Sequence, residues 1–292
     1  MISISSAKAG AAGLLLAVVL GAGAPAQAED DGRTHIERQT WTFSGLLGKF
    51  DQAQLQRGFK VYSEVCSRCH GVKRLAFRNL VQPGGPSFSE AGVKSLAADK
   101  YRVDAEPNEQ GKVLKRPAVL TDNIPPPFKN EQEARSVQPG GALPPDLSLI
   151  ARARGVESET PFYLVPLTML RDILSAYQEA GVDYLYAYLT GYKEPPPGAK
   201  VPEAMNYNAA FPAPHFTGMP NPFAGGDGLV TYTDGTPATV DNYARDVASF
   251  LAWAADPRLE ERKRLGIVVI GYLLITAILF YFAKRRIWSK AH

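Results

Sequence analysis

The chain has 292 residues, 45% of them hydrophobic, with 32 Lys and Arg against 29 Asp and Glu and a formal net charge of +3. Eight of the basic residues (Lys8, Arg262, Lys263, Arg264, Lys284, Arg285, Arg286 and Lys290) lie towards the two ends; without them residues 29–261 hold 24 basic against all 29 acidic residues, a net charge near −5. That acidic body is long enough for one substantial core, and its charge excludes nucleic acid as a natural partner while suiting a basic one.

Lys8, the apolar run Ala11 to Leu20 and the sequence Ala26-Gln27-Ala28 have the form of a cleaved export leader over 1–28, with the mature chain starting at Glu29. The first predicted helix spans Asp51 to Cys69. Asp51 is its candidate N-cap, and Leu55, Phe59, Tyr62 and Val65 fall at helical spacing.

At the end of that helix stands Cys66-Ser67-Arg68-Cys69-His70. Two thiols three positions apart, followed by His, read as a c-type haem attachment site. Each thiol bonds one vinyl group, and His70 supplies the proximal axial nitrogen. A redox dithiol would sit near a βαβ pattern, and none is visible. A tetrahedral zinc site would need two further ligands, whereas His35, His215 and His292 are scattered. Covalent haem also implies export, in agreement with the leader.

Long Pro- and Gly-containing segments follow, as at 82–86, 124–127, 139–145, 194–198 and 211–226. Loops of that length suit a domain in which a macrocycle replaces part of the protein core. Between them the pattern predicts a short helix over Glu131–Ser136 and another after Asp146, which is its candidate N-cap, with Leu147, Ile150 and Ala151 inward. It predicts an amphipathic helix over Leu167–Ala180 and a helix over Val182–Thr190. Leu229–Tyr232 reads as one strand of a small hairpin, and a last helix runs from near Thr236-Pro237 to Asp256-Pro257.

For the second axial position the candidates are Met169, Met205, Met219 and His215. Met169 sits beside an apolar stripe and reads as structural. Gly218 and Pro220 form a stiff bend that favours Met219, with Met205 and His215 open as alternatives.

Leu265–Ala283 is nineteen residues without a charge, enough to span a ~30 Å hydrocarbon core at 1.5 Å per residue. Four basic residues flank it on each side, so charge alone does not orient it. The leader and the haem do, placing residues 29–261 outside, an anchor over 262–283 and a cytoplasmic tail over 284–292.

The ordered set Arg57-Gly58-Phe59-Lys60-Val61-Tyr62, Cys66-Ser67-Arg68-Cys69-His70, Pro107-Asn108-Glu109, Gly141 to Ser148, Ala151-Arg152-Ala153-Arg154, Leu189-Thr190-Gly191-Tyr192, Gly218-Met219, Asp234 to Thr239 and Phe250 to Ala255 resembles the cytochrome c1 family, bacterial type. These are the c-type haem subunits of ubiquinol–cytochrome c oxidoreductase. The resemblance implies a mainly α fold, a class I c-type cytochrome-like haem domain with long loops and insertions plus one C-terminal transmembrane helix. It implies one haem c held through Cys66 and Cys69, His70 and Met219 on iron, Pro144 and Pro145 against the haem, and Arg154, with Arg152 as a second candidate, on a propionate. An Arg fork beside a carboxylate makes chemical sense.

The implied role is a membrane-anchored electron carrier. It takes single electrons from the Rieske iron–sulfur protein, passes them to a cytochrome c and packs against cytochrome b. Localisation would be the bacterial inner membrane with the haem domain in the periplasm. Two departures stand out: residues 155–182 are longer than in mitochondrial members, and no cysteines remain for the extra disulfide of some bacterial ones. The acids Asp99, Asp104, Glu106 and Glu109 are candidates for steering a basic cytochrome c. The rival readings are a haem enzyme or gas-binding protein with an open distal site, where His215 would be the acid–base group, and a haem that only staples the fold.

Overall fold

A computed structural model describes residues 36–155 and 161–289. The expected leader, His35, His292 and Lys290 lie outside them. Helix α1 is Gln52–Glu64, capped by Asp51, whose carboxylate accepts from the Gln54 N–H at 2.7 Å. It ends five residues before the predicted end at Cys69. Val65 leads into a 3-10 turn over Cys66–Arg68, tightened by the Cys69 N–H donating to the Cys66 carbonyl.

Helix α2 (Glu90–Lys100) and a two-stranded antiparallel ribbon, β1 (Arg102–Asp104) with β2 (Lys115–Pro117), follow. Helix α3 (Glu131–Val137) stands where predicted, capped by Asn130. Helix α4 is one turn, Ile150–Ala153, and Asp146 does not cap it. The Asp146 carboxylate instead accepts from the Ser148 and Lys73 N–H groups, a local turn that competes with helix. Leu147, Ile150 and Ala151 are buried, as expected.

Helix α5 is Val165–Ser175, shorter than predicted, because Ala176 turns left-handed at φ 51°. Helix α6 is Ala180–Thr190. A second small ribbon pairs β3 (Asn206–Tyr207) with β4 (Phe216–Thr217). Leu229–Tyr232 is not a strand. The Tyr243 hydroxyl accepts from the Gly228 and Val230 N–H groups and donates to the Val230 carbonyl, taking the bonds a hairpin partner would have made. Helix α7 (Val240–Ala255) starts at the Thr239 cap, three residues after the predicted start.

The core forms where α1 crosses α7. Gly58 permits the close approach: a Cβ there would lie 2.1 Å from the Asp246 carbonyl oxygen and 2.7 Å from the Phe250 Cβ. Phe59, Tyr62, Phe250 and Trp253 interlock around the crossing, with Phe59 edge-on to Phe250 at 5.6 Å. Each such buried ring contributes about 1.5–3 kcal/mol. Across the same crossing Arg57 donates to Asp246 at 2.8 Å and to Asp234 at 2.6 Å, and that hydrogen bond, with the Thr236 N–H, holds the exposed Asp234 carboxyl down to about 2. The N-terminal segment joins through Asp183 on α6. Its fully buried carboxylate accepts from Trp41 Nε1 at 2.7 Å, the Gln39 N–H at 3.1 Å and the Tyr177 hydroxyl at 2.6 Å.

Helix α8 runs unbroken over Leu259–Trp288, apolar and outward-facing, long enough to cross a membrane. The predicted boundary after residue 261 falls inside it. Arg262 bonds Asp256 at 2.8 Å, and Lys263 donates to the Phe43 carbonyl at 2.6 Å, so the first turns of α8 belong with the body.

Gly58→Ala should destabilise the protein by about 1–3 kcal/mol or more, because the new methyl meets backbone that cannot rotate away. Denaturant midpoints of the two full chains measure it; an unchanged midpoint would mean the helices do not cross here.

Candidate functional site

His70 is buried at 8% exposure, at the end of the turn that α1 delivers. Its backbone N–H donates to the Cys66 carbonyl at 2.9 Å, and its own carbonyl accepts from the Tyr62 hydroxyl at 3.1 Å. Its ring Nδ1 lies 2.8 Å from the Pro145 carbonyl oxygen. A carbonyl only accepts, so Nδ1 carries the proton, and Nε2 is left with the lone pair a metal needs. Burial lowers the pKa of His70, against the Pro145 bond and the Asp146 charge, which favours the neutral imidazole that can ligate.

Cys66 is buried and Cys69 half-buried, both unpaired. Burial, with a smaller contribution from Cys69, pushes the Cys66 thiol up to about 12. A thiol so held is not the low-pKa thiolate of a redox dithiol. Among the described residues, no three His, Cys, Asp or Glu side chains converge on a common metal position. The donor set therefore fits a group that brings its own equatorial ligands and takes two thioethers and one imidazole from this turn.

Met219 reaches the same core from a different direction. It is half-buried and packs against the cluster that includes Cys66, Leu147 and Ile150. Its loop is held by hydroxyls. The Met219 N–H donates to Thr217 Oγ1 at 3.3 Å, and Thr217 Oγ1 lies 2.7 Å from the Tyr188 hydroxyl. Tyr192 donates to the Met219 carbonyl at 3.1 Å and lies 3.2 Å from the Tyr188 hydroxyl. Burial raises the pKa of Tyr192, so it stays a donor.

Segment Ala142–Pro145 touches His70 at one end and approaches Gly218, the neighbour of Met219, at the other. Pro145 accepts from His70, while a Cβ on Gly218 would stand only 3.2 Å from the Ala142 Cβ. Pro144 and Pro145 thus lie in the strip between the His70 turn and the Met219 loop. The other candidates stand elsewhere. Met205 is 45% exposed on a loop, and Met169 is 59% exposed on α5, which overturns its reading as a structural residue. His215 bonds the Phe211 carbonyl through Nδ1 at 2.6 Å, which leaves its Nε2 with a lone pair as in His70, and it adopts φ 67° on a different loop from Met219.

The two arginines differ. Arg152 is ion-paired with Asp256 at 2.5 Å. Arg154, exposed at the end of α4, has no ion-pair partner among the described residues, and its charge is felt by the Tyr184 hydroxyl. Of the four candidate docking acids, Asp104 is neutralised by its pair with Lys115, while Asp99 keeps its charge and accepts from Ser95. Glu106 and Glu109 are exposed.

Sequence reasoning missed Tyr188, Tyr192 and Thr217 as supports of the Met219 loop, and it assigned Pro145 to packing rather than to the His70 hydrogen bond. The Tyr192 motif was visible; its partner was not.

The profile described as the Cytochrome C1 family matches residues 41–291. The chain is 47% identical over 253 residues to "Cytochrome b/c1" of Bradyrhizobium diazoefficiens, covering 86% of this chain and 35% of that protein, so it spans about a third of that relative. It is 43% identical to "Cytochrome c1" of Blastochloris viridis, covering 94% of each. It is 39% identical to "Cytochrome b-c1 complex catalytic subunit, mitochondrial" of Candida albicans, covering 87% of this chain and 78% of that one.

Tyr192→Phe should cost about 0.5–1.5 kcal/mol by removing the donor to the Met219 carbonyl. Amide hydrogen exchange should quicken over residues 216–220 and stay unchanged in α1; equal protection in both proteins would mean that the hydroxyl does not hold the loop.

Proposed function

The chain belongs to the cytochrome C1 family, and from that premise we propose that it carries single electrons through one haem c attached at Cys66 and Cys69, with His70 and Met219 as the axial ligands. Membership by itself implies a covalently bound c-type haem and a place in the cytochrome b-c1 complex. When bound, the haem supplies one-electron chemistry at iron, which alternates between two oxidation states.

The observation that carries the finer reading is the strip Ala142–Pro145, which contacts the His70 ring on one side and the Met219 loop on the other. Pro145 holds His70 in one tautomer and one orientation. Tyr192 and Thr217 hold Met219 by its backbone, leaving its thioether free to ligate. With the haem bound, His70 and Met219 would hold its iron between them, which would exclude small molecules and, through the thioether, favour the reduced state. Arg154 is the propionate partner of choice because its guanidinium is uncommitted among the described residues. Arg152 serves Asp256 instead and is the weaker candidate.

Cytochrome b is the membrane partner, a reading supported by the relative named "Cytochrome b/c1". The electron comes from the Rieske iron–sulfur protein and leaves to a cytochrome c. The haem domain faces the periplasm of a bacterial inner membrane, with α8 as its single span.

Absorption spectra of the oxidised and reduced chain, with haem retained on the polypeptide after denaturation, test attachment. Met219→Leu should keep the haem bound, lower the midpoint potential by on the order of 100 mV within the ~0.8 V range that axial ligands command, and open the reduced iron to carbon monoxide. An unchanged midpoint with no carbon monoxide binding would sink the assignment.

Neutralising Asp99, Asp104, Glu106 and Glu109 should slow association with a basic cytochrome c several-fold at ~10 mM salt. The effect should be small at ~150 mM, because the Debye length falls from ~30 Å to ~8 Å. Stopped-flow rates measure this, and equal rates at low salt would move docking elsewhere.

A further inference from the structure

We propose that residues 162–175 form an interfacial device: α5 lies on the bilayer that α8 crosses, with its apolar face in the lipid. The proposal rests on reading α8 as a membrane span.

No residue of α5 is buried. Phe162 is 87% exposed, Ile173 70% and Leu174 75%, and Tyr163, Leu167 and Leu170 are exposed beside them. Leu167, Leu170 and Leu174 recur at i, i+3 and i+7, one stripe on α5, and Phe162 and Tyr163 stand in the 3-10 turn that leads into it. Scattered apolar residues on a surface need no explanation; a contiguous stripe with aromatics at one end does.

The opposite face is the one tied to the body. Asp172 accepts from Arg38 at 2.9 Å, and the Arg38 guanidinium stacks over the Tyr177 ring at 3.7 Å. Thr168 and Ser175 share that polar side and satisfy their hydroxyls on the helix itself. The body therefore holds the polar face and presents the apolar one outward.

Position selects the occupant. Gln178, three residues beyond α5, accepts from Arg262 at 3.0 Å. Arg262 lies on α8 three residues before Leu265, where the uncharged run begins. At 1.5 Å per residue the separation is ~4.5 Å along the helix axis. A headgroup layer is roughly 5–7 Å thick on each side of the hydrocarbon. The C-terminal end of α5 is thus tethered at headgroup height, where an amphipathic helix with Leu and aromatic residues on one face lies in the plane of the interface. Phe162 and Tyr163 are residue types that favour that layer. The bilayer is continuous with the surface of α8, so it is the occupant these contacts select over a second protein.

The test uses the full haem-loaded chain in vesicles of phosphatidylcholine and phosphatidylglycerol. Leu170→Cys and Ile173→Cys are spin-labelled one at a time, with Val269→Cys on α8 and Glu203→Cys on an exposed loop as references. Haem occupies both native thiols, so the unsubstituted chain should take no label. Collision with oxygen, which concentrates in lipid, is compared with collision with a water-soluble nickel chelate. Labels at 170 and 173 should favour oxygen, as at 269, and reverse the preference seen at 203. Nickel preference at 170 and 173 with oxygen preference at 269 would put the α5 face in water and overturn the proposal. Low collision with both probes at 170 and 173 would mean protein covers the face, which also overturns it. Nickel preference at 269 would remove the membrane reading of α8 and the proposal together. An unchanged haem spectrum in each variant shows that the fold is kept.

Discussion

The hydrogen bond from His70 Nδ1 to the Pro145 carbonyl is the contact on which the candidate site depends. It does two things at once. It decides which ring nitrogen carries the proton, and so which one can ligate. It also ties the turn at the end of α1 to a segment 75 residues away in the chain. That segment continues back to Ala142, against which the Met219 loop rests. One short strip of backbone therefore sets the relation between two candidate ligands that share no secondary-structure element. Proline at positions 144 and 145 suits the task, since a stiff backbone holds its carbonyl in place.

Rigidity at the strip needs a frame, and the frame is the α1–α7 crossing. Gly58 brings the helix backbones together, and the aromatic cluster around Phe59, Tyr62, Phe250 and Trp253 fills the space beside them. Tyr62 belongs to both systems, with its ring in the cluster and its hydroxyl on the His70 carbonyl. The packing of the two longest body helices is thus coupled directly to the position of the imidazole. The long loops are held by single side chains rather than by sheet: Tyr243 secures 228–230, Asp122 and Arg116 pair beside β2, and Tyr192 secures Met219.

The segment 161–182 follows a different logic. It adds nothing to the buried core through α5, yet its end is fixed by Asp183 and Arg262, groups that also hold the N-terminal segment and the start of α8. An exposed apolar helix fastened at the level where the uncharged run of α8 begins makes structural sense only beside something apolar.

The sequence by itself determined the candidate chemistry and the broad order of parts. Cys66, Cys69 and His70 are adjacent, so their joint use needs no tertiary knowledge. An uncharged run of nineteen residues announces a spanning helix by composition, and the periods of α1, α3, α6 and α7 follow from local spacing. Tertiary structure decided what depends on distant partners. Arg152 and Arg154 look alike in sequence, and only the position of Asp256 separates them. Leu229–Tyr232 has strand composition, and only the Tyr243 hydroxyl withdraws its backbone bonds. The stripe on α5 was legible as a stripe, but periodicity says that one face is apolar and not what covers it. Pro145 was chosen for its ring, whereas its carbonyl does the holding. Local spacing records which side chains share a face; which of them meet a partner depends on how the chain closes, and that is settled by contacts tens to hundreds of residues apart.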